Sequence, residues 1–250
     1  MSTVTATTAS KAPSGAYFLF RRLHSLTGLV FGGYLVVHLT INATLVEGVR
    51  EGGPITVYQQ QVNIIHGLPL LLGIEWAFIY LPIIYHTLYG IWIVATGHPN
   101  IDRYQYGKNW FYVLQRISAI ILVFFILFHV LAMKGLFGGD MGSALTFDPA
   151  HATESTARHF NAAFWVYGFV YPLGILASCY HLANGFWTAA ITWGLTVSKK
   201  SMQRWGIVCT FIFLFTLGCG TTALVSLIRM GSPTAVIHGS VDSDTVRSPK

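Results

Sequence analysis

Residues 78–92 read FIYLPIIYHTLYGIW, an apolar stretch with one histidine, His86, near its middle. Burying an imidazole in hydrocarbon costs free energy unless its nitrogens find partners. The same puzzle recurs in YLVVHLTIN (residues 34–42, with His38), VFFILFHVLA (123–132, with His129) and LASCYHLANGFW (176–187, with His181). Four isolated histidines in four apolar stretches set a question that fold and function must answer together.

The 250-residue chain is 53% hydrophobic and only 10% charged, with a mean hydropathy of +0.56. Soluble domains carry about 25% charged residues. That much apolar surface does not fit inside one water-facing globule, so the chain reads as an all-α polytopic membrane protein. A span needs roughly 20 apolar residues, and five stretches qualify: about 23–46, 67–96, 110–136, 160–193 and 205–229. The second and fourth are long enough to tilt or to project beyond the lipid. Polar breaks separate them: EGVREGGP (47–54), GHPNIDRYQYGK (97–108), GGDMGSALTFDPAHATESTAR (138–158) and SKKSMQR (198–204). Residues 1–16 lack the apolar core of a signal peptide and read as a flexible tail. Residues 17–230 form the five-helix domain, and residues 231–250 are a polar tail expected to be disordered. No repeat of 20–50 residues stands out. Cys179, Cys209 and Cys219 lie in apolar stretches without a CxxC or CxxCH pattern, which argues against disulfides, zinc and c-type haem.

A net charge of +6 in a soluble protein would suggest nucleic acid. In a membrane protein the positive-inside rule accounts for it, and no nucleic-acid partner is expected. Lys11, Arg21, Arg22, Arg103, Lys108, Lys199, Lys200 and Arg204 all fall on one side of the five spans. Arg50, Lys134 and Arg158 fall on the other, diluted by Glu47, Glu51, Asp140, Asp148 and Glu154. The N-terminus is therefore expected on the cytoplasmic side and the C-terminus outside.

The helical rise of about 1.5 Å per residue converts position into depth. His38 and His129 each lie about 9 residues from the outer end of their spans, roughly 12–14 Å down. His86 and His181 lie about 20 residues from the outer ends of theirs, in the inner half. The depths sort into two pairs: His38 with His129 in an outer layer, His86 with His181 in an inner one. Facing histidines at one depth in a helix bundle suit axial ligation of a haem. Two axial histidines leave iron no open position, which favours electron transfer over oxygen chemistry. The layers differ by roughly 16 Å in depth, so two haems would form a wire across the bilayer. A single membrane histidine is also at home as a hydrogen-bonded packing residue or on a proton path. Four matched in depth are harder to assign to packing. His66, His98, His151, His159 and His238 fall in loops, at a span edge or in the tail, where solvation is the expectation.

RRLHSLTG, LPIIYHTLYG, NWFYVLQRISAI and YHLANGFWTAAITWGLTVS closely resemble the cytochrome b anchor subunit of succinate:quinone oxidoreductases and fumarate reductases, in its single-chain, five-helix, di-haem form. The likeness runs in order from about Tyr17 to Leu227. It implies two haem b groups, the outer held by His38 and His129 and the inner by His86 and His181. It also implies flavoprotein and iron–sulfur subunits docked on the cytoplasmic face, membrane quinone as the redox partner, and a bacterial cytoplasmic membrane. The chain has no dinucleotide fingerprint and no cysteine cluster for iron–sulfur, so the dicarboxylate chemistry belongs to partner subunits. The exposed apolar surface permits a homo-oligomer of the whole complex. Two alternatives stay open: a cytochrome b subunit of another quinone-linked dehydrogenase or hydrogenase, and a haem-free transporter relaying protons.

Further residues stand out. Arg21, Arg22 and Arg116 sit at the inner mouth, and Arg22 and Arg116 are candidates for gripping haem propionates or for docking; positive-inside anchoring is the plainer role. His24 and Ser25 could join that network or donate to a quinone carbonyl. Asn184 with Gly185 could cap a local helix distortion. Gly28, Gly32, Gly33 and Gly90 could let a porphyrin approach the backbone, and ordinary close packing explains them almost as well. Glu75 lies about 16 Å outward of His86 by the helical rise, near the outer pair, where a carboxyl could deliver protons to quinone or remain a structural acid. Trp76 and Phe78 could line a quinone slot or belong to the interfacial aromatic belt.

Overall fold

The computed structural model describes residues 15–47, 56–97, 107–137 and 139–230. The two tails, the first two breaks and the charges within them lie mostly outside the described residues, as do His98 and His238. Every regular element among the described residues is helical. Five helices are long and apolar enough to cross a membrane: span I (Gly15–Glu47), span II (Leu71–Thr96), span III (Asn109–Met133), span IV (Val166–Thr192) and span V (Lys199–Met230).

The span centres agree with the sequence; the ends differ, each for a local reason. Span I is helical from Gly15 rather than from about residue 23. The apolar run Tyr17–Phe20 precedes the arginines, and the guanidinium groups of Arg21 and Arg22 lie over the rings of Tyr17 and Phe18, at 5.6 and 4.9 Å. The charges thus snorkel along the helix without ending it. Span V begins at Lys199 because Ser198 and Ser201 cap it reciprocally, each backbone N–H donating to the other's hydroxyl at 3.0–3.1 Å. Spans II and IV start later than expected because a separate helix precedes each: connector Val57–His66 and connector Ala152–Asn161, both ten residues long. Leu70, in the left-handed region at φ 58°, turns the chain out of the first connector into span II. Residues 138–158, expected as a loop, instead carry the helix Gly139–Leu145, a 3-10 turn at Pro149–His151 and the start of the second connector.

This correction changes one histidine. His159 is not solvated but fully buried in the second connector. That helix is amphipathic, burying Ala152, Ser155, Thr156, His159 and Phe160 at the three- and four-residue spacing of one face. His66 is exposed as expected, and exposed His151 pairs with Asp148 at 2.9 Å.

Span II carries one π turn after its first five residues, at Trp76–Tyr80, and span IV opens on one, at Val166–Val170; each is followed by proline at the second position of the α-helix beyond it (Pro82, Pro172). Proline has no N–H and its ring crowds the carbonyl of residue i−4. A turn closed at i−5 makes room: Leu81 N–H reaches Trp76 O, and Tyr171 N–H reaches Val166 O.

Span I packs on II and V; span IV packs on III and V. Span IV is the best buried, because small residues face its neighbours. A Cβ on Gly174 would meet the ring of Phe125 at 2.3 Å, and one on Gly220 would meet Ile175 at 2.6 Å. Leu88, Phe124, Ile207 and Phe211 point outward, as a hydrocarbon solvent requires. The densest apolar core lies at the connector end, where Leu45, Tyr58, Leu145, Phe160, Tyr171 and Leu227 meet.

The bundle contains a repetition. Span I, a ten-residue connector and span II make one hairpin; span III, a second ten-residue connector and span IV make another. Tyr85 of span II donates to Phe20 O of span I, and Tyr180 of span IV donates to Phe111 O of span III, both at 3.1 Å. The sequences YHTLYGIW (85–92) and YHLANGFW (180–187) carry this correspondence.

The connectors cross-bond at their shared end. Thr56 and Thr153 hydroxyls are 2.7 Å apart, Gln59 Nε2 donates to Pro149 O at 2.8 Å, and Ala152 N–H donates to Gln59 Oε1 at 2.7 Å. Gln59→Ala should lower stability by about 1–3 kcal/mol, read as a lower Tm of the detergent-solubilised protein. Asn63→Ala, which removes only an exposed same-helix partner of Gln59, should change it by no more than about 0.5 kcal/mol.

Candidate haem-binding site

The four span histidines meet in two pairs. The rings of His38 (span I) and His129 (span III) have centroids 6.1 Å apart at an interplanar angle of 73°. Those of His86 (span II) and His181 (span IV) are also 6.1 Å apart, at 87°. Two imidazoles bound through nitrogen on opposite sides of one iron have ring centres about 6 Å apart, from roughly 2 Å per metal–nitrogen bond and about 1 Å from nitrogen to ring centre. Spans I and III, and spans II and IV, are not principal packing partners. The paired side chains therefore face each other across the interior of the bundle.

Each Nδ1 has an oxygen partner. His86 Nδ1 is 3.0 Å from His24 O, His181 Nδ1 is 3.2 Å from Ser118 Oγ, His129 Nδ1 is 2.9 Å from the Tyr171 hydroxyl, and His38 Nδ1 is 3.4 Å from the Tyr34 hydroxyl. A carbonyl accepts only, so His86 carries its proton on Nδ1. Ser118 donates its single proton to Gln115 O at 3.0 Å, so its oxygen accepts from His181, which also carries its proton on Nδ1. The lone pairs then fall on Nε2, and among the described residues no hydrogen bond reaches any of the four Nε2 atoms. Metal-bound histidines are held in this way, with the far nitrogen donating to a protein oxygen. The donor set, and the tautomers of His86 and His181, fit bis-histidine iron.

One of the four glycines singled out in the sequence makes space for a ring of the two pairs, that of His86. A Cβ on Gly28 would lie 2.6 Å from His86 Cε1, and one on Gly32 would lie 2.7 Å from Leu182. Gly90 faces His24 at 3.4 Å, whereas Gly33 has nothing within 4 Å. His24 stacks on His86, with centroids 4.1 Å apart and planes within 10°. Its Nδ1 and the hydroxyl of neighbouring Tyr89 are buried without a hydrogen-bond partner among the described residues. Sequence reasoning missed this stack, because it depends on Gly90 opposite. Span IV runs unbroken through Asn184 and Gly185. Asn184 does not cap a distortion but donates to Gln115 Oε1 at 2.8 Å, and Gln115 Nε2 donates to His181 O at 3.2 Å.

The remaining candidates occupy distinct places. At the amino-terminal end of span I, Arg22 lies over the Trp193 ring at 4.8 Å, and Trp193 Nε1 donates to Ser25 Oγ at 3.0 Å. Among the described residues no hydrogen bond engages the Arg22 guanidinium. Arg116 is committed elsewhere: it donates to Ile93 O at 3.2 Å, to Gly97 O at 3.0 Å, to Val94 O and to the Tyr112 hydroxyl. It thus satisfies the last carbonyls of span II and ties them to span III. Glu75 is half-buried just before the π turn of span II. Trp76 and Phe78 are exposed on that turn.

Gly28→Ala should force the His86 ring from its place at a cost of about 1–3 kcal/mol, measured as a drop in Tm. Gly33→Ala, into open space, should cost less than about 1 kcal/mol in the same measurement.

Two comparisons bear on identity. The family of succinate dehydrogenase/fumarate reductase transmembrane subunits matches residues 97–219. The succinate dehydrogenase cytochrome b558 subunit of Bacillus subtilis (strain 168) is 33% identical over 213 residues, covering 84% of this chain and 97% of that relative. Shared over nearly its whole length, with five spans of the expected kind, this likeness means that the chain belongs to the succinate dehydrogenase/fumarate reductase transmembrane subunit family.

Proposed function

We propose that this chain is the membrane anchor and di-haem cytochrome b subunit of a bacterial succinate:quinone oxidoreductase, with His38 and His129 holding one haem b and His86 and His181 the other. The observation that carries the reading is the two histidine pairs at 6.1 Å, each ring with its Nδ1 engaged by a protein oxygen. When bound, the haems supply one-electron transfer across the bilayer. His38, His129, His86 and His181 would hold them in an apolar interior, two histidines to each haem.

Charge supports the orientation. Arg21, Arg22, Arg116, Lys199, Lys200 and Arg204 gather at the amino-terminal end of span I, whereas Lys134, Arg158 and Arg229 in the connector half are offset there by the described acidic side chains Glu47, Glu75, Asp148 and Glu154. The basic end faces the cytoplasm by the positive-inside rule and receives the iron–sulfur and flavoprotein subunits. Dicarboxylate chemistry stays on those partners. Arg22, free of hydrogen bonds among the described residues, is the cation for a haem propionate; Ser25 holds Trp193 beneath it. His24 Nδ1 and the Tyr89 hydroxyl offer polar atoms beside His86 to a propionate or a quinone carbonyl. Glu75, near the connector-end pair, delivers protons to quinone.

The reduced-minus-oxidised spectrum, with haem quantified per chain, tests this. Wild type should hold two b-type haems, and His38→Ala and His86→Ala should each lose a different one. No haem would return the chain to the proton-relay reading. Glu75→Gln should keep both haems yet slow quinone turnover by about tenfold or more, with succinate oxidation by a soluble dye acceptor unchanged. Unchanged quinone turnover would make Glu75 structural.

A further inference from the structure

Tyr171 and His159 are outside the proposed ligand set but tied to it. Tyr171, the residue after the π turn of span IV, is only 3% exposed, and its hydroxyl lies 2.9 Å from His129 Nδ1. The same hydroxyl lies 2.6 Å from Nε2 of His159, fully buried on the second connector. His159 Nδ1 is 2.7 Å from Leu145 O.

The polarity of this chain can be read from its far end. The Leu145 carbonyl only accepts, so His159 carries a proton on Nδ1. Neutral His159 then accepts at Nε2. Tyr171 has one proton, and it goes to His159. The Tyr171 oxygen therefore accepts from His129 Nδ1–H, and the His129 lone pair falls on Nε2. Burial holds His159 below the usual imidazole range, consistent with the neutral form.

The other pair needs no such device. His86 and His181 are oriented from within the spans, by His24 O and by Ser118 with Gln115 O. His38 has only a long contact, 3.4 Å, to Tyr34 one turn away on its own helix. The orientation of the connector-end pair thus rests chiefly on His129.

We propose that His159 is a positioning residue for the haem held by His38 and His129: acting through Tyr171, it sets the tautomer and the electron-donating strength of His129. The proposal rests on the reading of His129 as an iron ligand. An Nδ1–H that donates to a good acceptor gives the imidazole partial imidazolate character, which favours ferric iron. In the absence of His159 the Tyr171 proton loses its acceptor, the phenol oxygen accepts less strongly from His129 Nδ1–H, and that haem becomes easier to reduce.

The test is a redox titration of the purified, haem-loaded protein with both haems resolved, in wild type, His159→Leu, His159→Gln and Tyr171→Phe. Glutamine keeps an oxygen near the position of Nε2 to accept from Tyr171. In His159→Leu and Tyr171→Phe the haem that is lost in His129→Ala should shift toward the ferrous form. The expected size is about tenfold in the ferrous-to-ferric ratio at fixed ambient potential, ~59 mV for a one-electron couple. The second haem should not move, and His159→Gln should restore most of the wild-type value. Equal shifts of both haems, no shift, or glutamine behaving as leucine would make His159 a packing residue and overturn the proposal. If His159→Leu fails to fold, Tyr171→Phe decides by the same shift. Wild-type protein without haem would instead remove the ligand reading on which the proposal stands.

Discussion

An imidazole has two nitrogens, and in hydrocarbon both must be satisfied. Much of the interior is shaped by this requirement applied four times. Each Nδ1 needs an oxygen, which explains a backbone carbonyl at His24, a serine at Ser118 and tyrosines at Tyr34 and Tyr171. Each ring needs room, which excludes a Cβ at Gly28. Each Nε2 needs a partner that the described residues do not supply, and the paired rings face each other between helices that are not principal neighbours. The spans are thus arranged around their histidines as much as around apolar contact. That suits a medium in which hydrophobic burial does not drive helices together.

The two hairpins meet this requirement by parallel means. In each, a Tyr–His pair on the second helix is anchored to the first by a tyrosine hydroxyl on a backbone carbonyl. In each, the oxygen for that histidine comes from the first helix of the same hairpin: His24 O for His86, Ser118 for His181. Each proposed haem site is then completed across hairpins, by I with III and by II with IV. Span V stands outside the repetition and covers I and IV.

Much of this was legible in the sequence, for physical reasons. Helical rise per residue is nearly constant, so position converts to depth, and counting residues along the spans sorts the four histidines into the pairs that the folded chain brings together. Hydropathy finds the spans because lipid tolerates little else. The illegible part depends on contacts between distant residues. The role of Arg116 depends on where span II ends, and the stacking of His24 on the glycine opposite it, Gly90. His159 was hidden at the edge of a polar stretch that reads as a loop. Its signal was the three- and four-residue spacing of Ala152, Ser155, Thr156, His159 and Phe160, with only one residue, Phe160, large and apolar enough to notice. Span ends were displaced by caps such as Ser198 with Ser201, which hydropathy does not register.

The π turn at Trp76–Tyr80 has a consequence for Glu75. In an uninterrupted α-helix, eleven residues come close to three full turns, so Glu75 and His86 would share one face. A π turn takes up an extra residue and rotates the helix on one side of it by roughly 100° relative to the helix on the other. It acts as a phase shift. It swings the acid off the azimuth of His86, while the turn itself packs against span I. The proposed proton carrier and the proposed haem ligand are thereby given separate azimuths on one helix. A single residue deleted from this turn would bring them into line without altering the charge or any proposed ligand of the chain.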